Sequence, residues 1–447
     1  MGELFFGKYL VTAAEEMPEE MEVYSGWGVA VLDGKILEIG ANSDLKKKYA
    51  DFDVRDYRDK ILMPGFTNAH MHCYGIGSHG ITPPRGIDSF ESFLNDFWWP
   101  LVENRIDHRM IDVSTRATAW ELLNSGVTAL CDVLEAPNAI PGGLDVQAAA
   151  LETVGMKGVL SFEACERIDR ENGRLGLAEN ETFFLTYREH PRISGMMCIH
   201  TTFTCSKEFI REARERTGRT GSGLQMHLNE SIYEPTVCRE RYGKGPVELY
   251  EELEYLGPDV LASQGVKLTE REIEILGNHG VSLVHVPLSN CEVGGGVAPV
   301  PELLRRGIEV GLGTDGYINN FFEVMRGVFL IHKAYNENPE MMPAETVLEM
   351  ATAKSARAIG AGSTLPKSGK LQPGFDADII TVRPELSTPL NENNIFDQVI
   401  LYCNPEHVAD VFVGGVQRKQ DGVLLGYNAE EMRKEVRAEA ARLWEGE

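Results

Sequence analysis

The chain has no run of about 18 apolar residues, so no part of it reads as a bilayer-spanning helix. None of its eight cysteines stands in a CxxC pair. Thiols scattered this way through 447 residues read as reduced and mostly buried, which points to a cytoplasmic protein rather than a disulfide framework. Basic residues are scarce: 43 Lys and Arg face 68 Asp and Glu, a formal net charge of -25. Such a surface repels polyanions, which excludes nucleic acid and anionic membrane as expected partners. The N-terminal residues lack the basic, apolar and cleavage regions of a secretory signal. Gly294-Gly295-Gly296 is not followed by a GK[ST] element, which argues against a phosphate-binding loop. Internal repeats and low-complexity tracts are absent.

What is present has a clear order. Up to about Leu62 the chain reads as short strands with turn signals, Asp33-Gly34 marking a hairpin. Beyond Gly65, apolar runs alternate with amphipathic helical stretches. The runs are ILMPGFTNAH, GVTALCDV, KGVLSFEA, GMMCIHTTF, GLQMHLN, DVLASQG, SLVHVP and IEVGLGTD. Eight such units match an α/β architecture, either a parallel (β/α)8 barrel or a doubly wound open sheet. After Ala361 strands return, in GKLQPGFDADIITV and ADVFVGGVQRKQDGVLL, before a charged terminal helix. The expected division is 1–62 and 361–447 as one small β-sandwich built from both chain ends, with 63–360 as the catalytic unit.

Several polar residues fall where the apolar runs close. His70 and His72 end the first run, and side chains at i and i+2 of a strand share a face, so both imidazoles can enter one site. His227 closes the fifth run, with Glu230 in the loop beyond, and Asp315 closes the eighth. Taken singly, an HxH, a loop glutamate or an Asp-Gly turn means little. Their joint placement at the ends of runs one, five and eight is what suggests a metal site of three histidines and a carboxylate. Trp98 and Trp99 read equally as a wall that stacks on a flat heterocycle or as core. Cys73, one residue past the pair, is expected behind the site.

With MPGFTNAHMH, HLNE, VPLSN with GGGVAPV, GLGTDG and LQPGFDADI, nearly the whole chain resembles the amidohydrolase superfamily. The likeness is to its aminohydrolase and chlorohydrolase branch, which includes S-adenosylhomocysteine, guanine and cytosine deaminases. SFLNDFWWPL and LSFEACERIDRENGRLGLAEN look like aminohydrolases linked to selenium and purine-degradation gene clusters. The resemblance implies a TIM-type (β/α)8 barrel in which His70, His72, His227 and Asp315 hold one divalent ion, zinc before iron or manganese. It implies Glu230 as proton shuttle, His200 as a substrate contact, and Arg85 in a loop lining the pocket with Trp99. His285 reads either as a substrate contact or as a hydrogen-bonded histidine under the rim. It further implies a homodimer or larger assembly.

One position departs from the pattern. Relatives carry a histidine at the end of the sixth strand, where this chain has Gln264. An amide donates and accepts hydrogen bonds but exchanges no proton near neutral pH. Gln264 is therefore expected to orient water or contact substrate. The leading expectation is hydrolytic deamination of an amino-substituted purine-, pyrimidine- or triazine-like ring. The alternatives are loss of another leaving group such as chloride, opening of an amide-type ring, or a metal-containing binding protein without turnover.

Overall fold

The computed structural model describes residues 2–14, 20–365 and 367–446. The hairpin expected at Asp33-Gly34 joins strands Trp27–Leu32 and Lys35–Ala41, and both turn residues have positive φ (49° and 78°), as the tightest hairpin turns require. Strand Gly2–Ala13 pairs with Trp27–Leu32 and with Asp53–Pro64, and Asp53–Pro64 pairs in turn with Ile379–Val382. Val408–Val413, Val416–Gln420 and Val423–Leu424 extend this into a single nine-stranded sheet, so the two ends of the chain share one layer. Alternation along its first strand separates two apolar clusters. Phe5 and Leu10 pack with Leu62, Ile379 and Phe412, while Leu4 and Phe6 pack with Leu45.

The runs beyond Gly65 form parallel strands. β1 (Phe66–Met71), β2 (Val127–Leu134), β3 (Lys157–Phe162) and β4 (Ile193–Gly195) make one sheet. A second sheet holds β5 (Met197–Ile199), β6 (Leu224–Leu228), β7 (Val260–Gln264), β8 (Ser282–His285) and β9 (Val310–Leu312). The fourth unit is thus broken at Met196: β4 pairs with β3, and β5 pairs with β6. Isolated bridges link the two sheets at both edges, Ala164 to Ile199 and Met71 to Asp315. Residues of these strands are buried throughout, as expected of parallel strands covered on both faces.

Helices fill the connections, and four bear on the site. α1 (His108–Asn124) is capped by Asp107, whose carboxylate accepts from the Met110 N–H at 2.8 Å. α2 (Pro287–Glu292) follows β8 directly, and α3 (Phe321–Tyr335) packs on α2. α4 (Ala429–Glu445) lies on α1 and reaches the short turn Cys73–Ser78 that leaves the histidine pair. There the Trp444 indole N–H donates to the Gly77 carbonyl at 2.9 Å, and Arg105 donates to the Leu443 carbonyl at 2.8 Å. A buried ion pair ties the parallel strands to the nine-stranded sheet: the Lys157 ammonium meets Asp376 and, at 2.6 Å, Asp378. Among the described residues no helix is long and apolar enough to cross a membrane. Seven cysteines are buried and Cys291 is exposed; all are free thiols.

Candidate active site

At the C-terminal ends of the parallel strands lies a cavity of about 450 Å3. Three non-glycine residues at strand ends around it hold positive φ: Asn229 (49°), Gln264 (79°) and Asp315 (57°). Such conformations are costly and collect where function demands them. The backbones here also run unusually close. A Cβ at Gly313 would stand 2.5 Å from the His70 carbonyl oxygen, and one at Gly75 would stand 2.7 Å from that of Gly316. Both positions are therefore closed to larger residues.

His70, His72 and His227 converge, their ligand-type nitrogens all within 4.8 Å of one another. The His72 Nδ1–H donates to the Val133 carbonyl at 2.7 Å, which fixes its tautomer and turns the Nε2 lone pair inward. That Nε2 faces His227 Nε2 at 3.3 Å and Asp315 Oδ1 at 3.1 Å. His70 Nε2 is buried without any hydrogen-bond partner, while His227 Nδ1 stands 3.4 Å from Glu163. Converging lone pairs with an orphaned nitrogen are poorly satisfied by protein alone. A divalent cation fits this donor set of three imidazoles and one carboxylate.

The electrostatics agree. Burial lowers His70 to about 3, against the pull of Asp315, and burial with the neighbouring imidazoles drives His227 well below its ordinary value. Burial pulls His72 down as well, but its bond to Asp315 outweighs this and raises it to about 9. A proton and a metal cation compete for that same lone pair. Burial would push Asp315 up, yet His72 and the other imidazoles hold it well below the usual carboxylate range. Asp315 is gripped on both oxygens. Oδ2 accepts from Ser289 Oγ at 2.7 Å and from Gln264 Nε2 at 2.9 Å, and Oδ1 accepts from the Gly316 N–H at 2.9 Å.

Glu230 lines the cavity, and burial, followed by the charge of Asp315, raises its carboxyl well above the ordinary range. Trp99 also lines the cavity, its ring 6.2 Å from that of His200. Trp98 stacks on Phe93 and lines it too. His79 lines the cavity and donates to the Gly316 carbonyl at 3.1 Å. His200 Nε2 stands 3.4 Å from Glu163, and burial lowers it to about 4.

Three expected contacts stand elsewhere. Arg85 is exposed and outside the lining, where its charge stays in water while Pro83 and Ile87 face inward. His285 is buried behind the wall, its Nε2 3.1 Å from His332 Nε2 on α3. Gln264 is fully buried and does not reach the lining. Its Oε1 accepts from Asn290 Nδ2 and its Nε2 is committed to Asp315.

The structure adds groups that sequence reasoning did not single out. Glu103, Glu135 and Glu163 line the inner wall around the single guanidinium of Arg167. Burial pushes Glu103 and Glu163 well up, whereas Arg167 and His200 overcome burial and hold Glu135 down. Glu163, His200 and His227 form a second potential ligand group that shares His227 with the first. Glu292 stands at the rim, raised to about 7 by burial and then by Asp315. Glu135 and Glu163 immediately follow apolar runs, the same signal that marked the histidines.

Residues 61–423 match the amidohydrolase family. The chain belongs to this family. A 5'-deoxyadenosine deaminase of Methanosarcina barkeri is 34% identical over 374 residues, covering 82% of this chain and 81% of the relative. A 5-methylthioadenosine/S-adenosylhomocysteine deaminase of Thermococcus sibiricus is 32% identical, covering 87% and 88%. In fold, this amidohydrolase superposes on a zinc-bound adenosine deaminase from Xanthomonas campestris with a TM-score of 0.87, at 23% identity over 99% and 98% of the two chains.

Proposed function

We propose that this amidohydrolase is a metal-dependent deaminase that hydrolyses the exocyclic amine of an amino-substituted N-heterocycle, with aminopurine nucleosides as the first class to test. The observation that carries this reading is the convergence of His70, His72, His227 and Asp315 on one point of a cavity that Glu230 also lines. Relatives of more than 30% identity carry deaminase names, which supports it. The two parallel sheets are read as one barrel of eight β/α units, β4 and β5 together making the fourth, with 63–360 as the catalytic unit and 1–62 with 361–447 as the satellite β-domain. The position suits zinc first, then iron or manganese. A cytoplasmic homodimer or larger assembly completes the proposal.

A divalent ion bound by these four residues would supply a Lewis acid that brings the pKa of water toward neutrality. Glu230, held protonated by burial, gives its proton to a ring nitrogen as the attacked carbon becomes tetrahedral; left as a carboxylate, it takes up one proton of the attacking water and passes it to the departing amine, and the last hydroxyl proton restores it as the carbonyl forms. Asp315 accepts a hydrogen bond from the attacking water and keeps it oriented. Its own position is fixed by Gln264, Ser289 and the Gly316 amide. His200 and Trp99 form the wall against which the ring rests. In balance, one water and one amine become a carbonyl and ammonia.

The experiment is ammonia release from aminopurine nucleosides, aminopyrimidines and aminotriazines by protein of measured metal content. Ammonia from one member with about one ion per chain supports the reading. Metal without ammonia from any member overturns it in favour of another leaving group or of binding alone.

A further inference from the structure

Among the described residues six carboxylates reach the cavity wall: Glu103, Glu135, Glu163, Glu230, Glu292 and Asp315. Among the described residues no lysine or arginine lines it. Arg167, which stands behind this wall, is already paired. Its Nε donates to Glu135, one terminal nitrogen to Asn104 Oδ1 at 2.8 Å and the other to Glu103 at 3.1 Å, and its face lies 5.1 Å over Trp99. His79 has its Nε2–H committed to the Gly316 carbonyl. Away from the candidate metal position, a carboxylate or phosphate brought into this cavity would lose its hydration without meeting a lysine or arginine among the lining residues, and an unpaired buried charge is strongly disfavoured. A hydroxyl or an ammonium would instead meet carboxyl oxygens able to accept its hydrogen bonds.

We propose that the cavity selects heterocyclic substrates whose non-reacting part is neutral or cationic and rejects those bearing a carboxylate or phosphate, with Glu292 at the rim as the residue that sets this discrimination. The inference rests on the deaminase reading and adds the charge class of the substrate to it. Glu292 stands on α2 three residues after Ser289, which grips Asp315, so it guards the mouth beside the reacting end. It is also the one of the six carboxylates on an exposed residue, which leaves it facing an incoming ligand.

The test uses four adenine nucleosides that differ only at the 5' position: 5'-deoxyadenosine, 5'-amino-5'-deoxyadenosine, adenosine 5'-carboxylate and adenosine 5'-monophosphate. With metal-loaded enzyme at low salt, kcat/KM for the first two is expected to exceed that for the two anions by at least about 100-fold. A gap under about tenfold overturns the inference. Glu292→Lys is expected to raise the ratio of anionic to neutral kcat/KM by at least about tenfold. Glu430→Lys, the same charge change on exposed α4 outside the cavity lining, is expected to leave that ratio unmoved. Equal effects from the two variants assign the preference to overall charge and overturn the role of Glu292. If none of the four is deaminated, the deaminase reading on nucleosides fails, and the inference is decided by thermal stabilisation with the same series. Stabilisation by the neutral and ammonium compounds but not by the anions upholds it, and equal stabilisation by all four, or by none, overturns it.

Discussion

Gln264 donates to Asp315 Oδ2 at 2.9 Å while its own carbonyl is filled by Asn290, so the amide acts on the carboxylate and not on the cavity. A neutral side chain in this place ties down Asp315 without offering a proton. The chain Asn290, Gln264, Asp315 is buried along its whole length. It explains how this amidohydrolase can lack an imidazole here and still present an oriented carboxylate.

Replacing Gln264 by Leu removes one of the two donors to Asp315 Oδ2 and strands the Asn290 amide. Outer residues that orient metal ligands typically matter by roughly 10–100-fold. A loss of kcat of that order is expected, with metal still bound in elemental analysis. Unchanged kcat would show that Ser289 and the Gly316 amide suffice.

Glu230→Gln keeps the shape of the side chain and removes its proton. Turnover is expected to fall by about 10²–10⁴-fold, the usual worth of a positioned acid or base. Metal content should stay at the wild-type level. Retained turnover would move the proton traffic to another group, with Glu163 as the next to substitute.

His227→Ala removes the imidazole shared by both potential ligand groups. Loss of metal is expected, together with loss of the drop in thermal midpoint that a chelator causes in the wild type, because a ligand that binds only the folded chain stabilises it. A variant that keeps its metal would place the ion elsewhere.

The His285–His332 pair gives a pH signature. Burial lowers His332 to about 4 and His285 well below its ordinary value, so both are neutral in the folded chain. Unfolded, each takes up a proton near pH 6.5. The unfolded state therefore binds more protons below that point, and stability, complete above about pH 6.5, declines as pH falls toward 4. Midpoints of urea unfolding at pH 7.5, 6, 5 and 4.5 should fall in that order. The double variant His285→Leu with His332→Leu should flatten the slope.

Much of this was legible in the sequence because a strand end is a local signal. An apolar run stopping at His, Glu or Asp announces where the side chain stands, which is the signal that singles out His70, His72, His227, Glu230 and Asp315. Glu135 and Glu163 carry the same mark at the ends of GVTALCDVLEA and KGVLSFEA, and only their ordinary carboxylate identity hid them. Gln264 was read as facing water or substrate. Its partner, Asn290, lies 26 residues away, and no spacing rule connects an amide at a strand end to an amide on the helix α2. The His285–His332 pairing spans 47 residues and is equally a product of packing. Arg85 shows the reverse case: its loop lies at the cavity, but solvation decided which of its neighbours turned inward.

The contact of Trp444 with the Gly77 carbonyl sets an order of assembly. The turn it supports begins at Cys73, directly after the histidine pair, yet its partner is made 367 residues later. During synthesis from the N-terminus, the histidine pair can meet its neighbouring strands long before α4 exists to brace that turn. The nine-stranded sheet waits in the same way, since Asp53–Pro64 lacks its neighbour Ile379–Val382 until late. A chain stopped short of α4 would thus carry all four candidate metal-binding residues and none of the brace behind them.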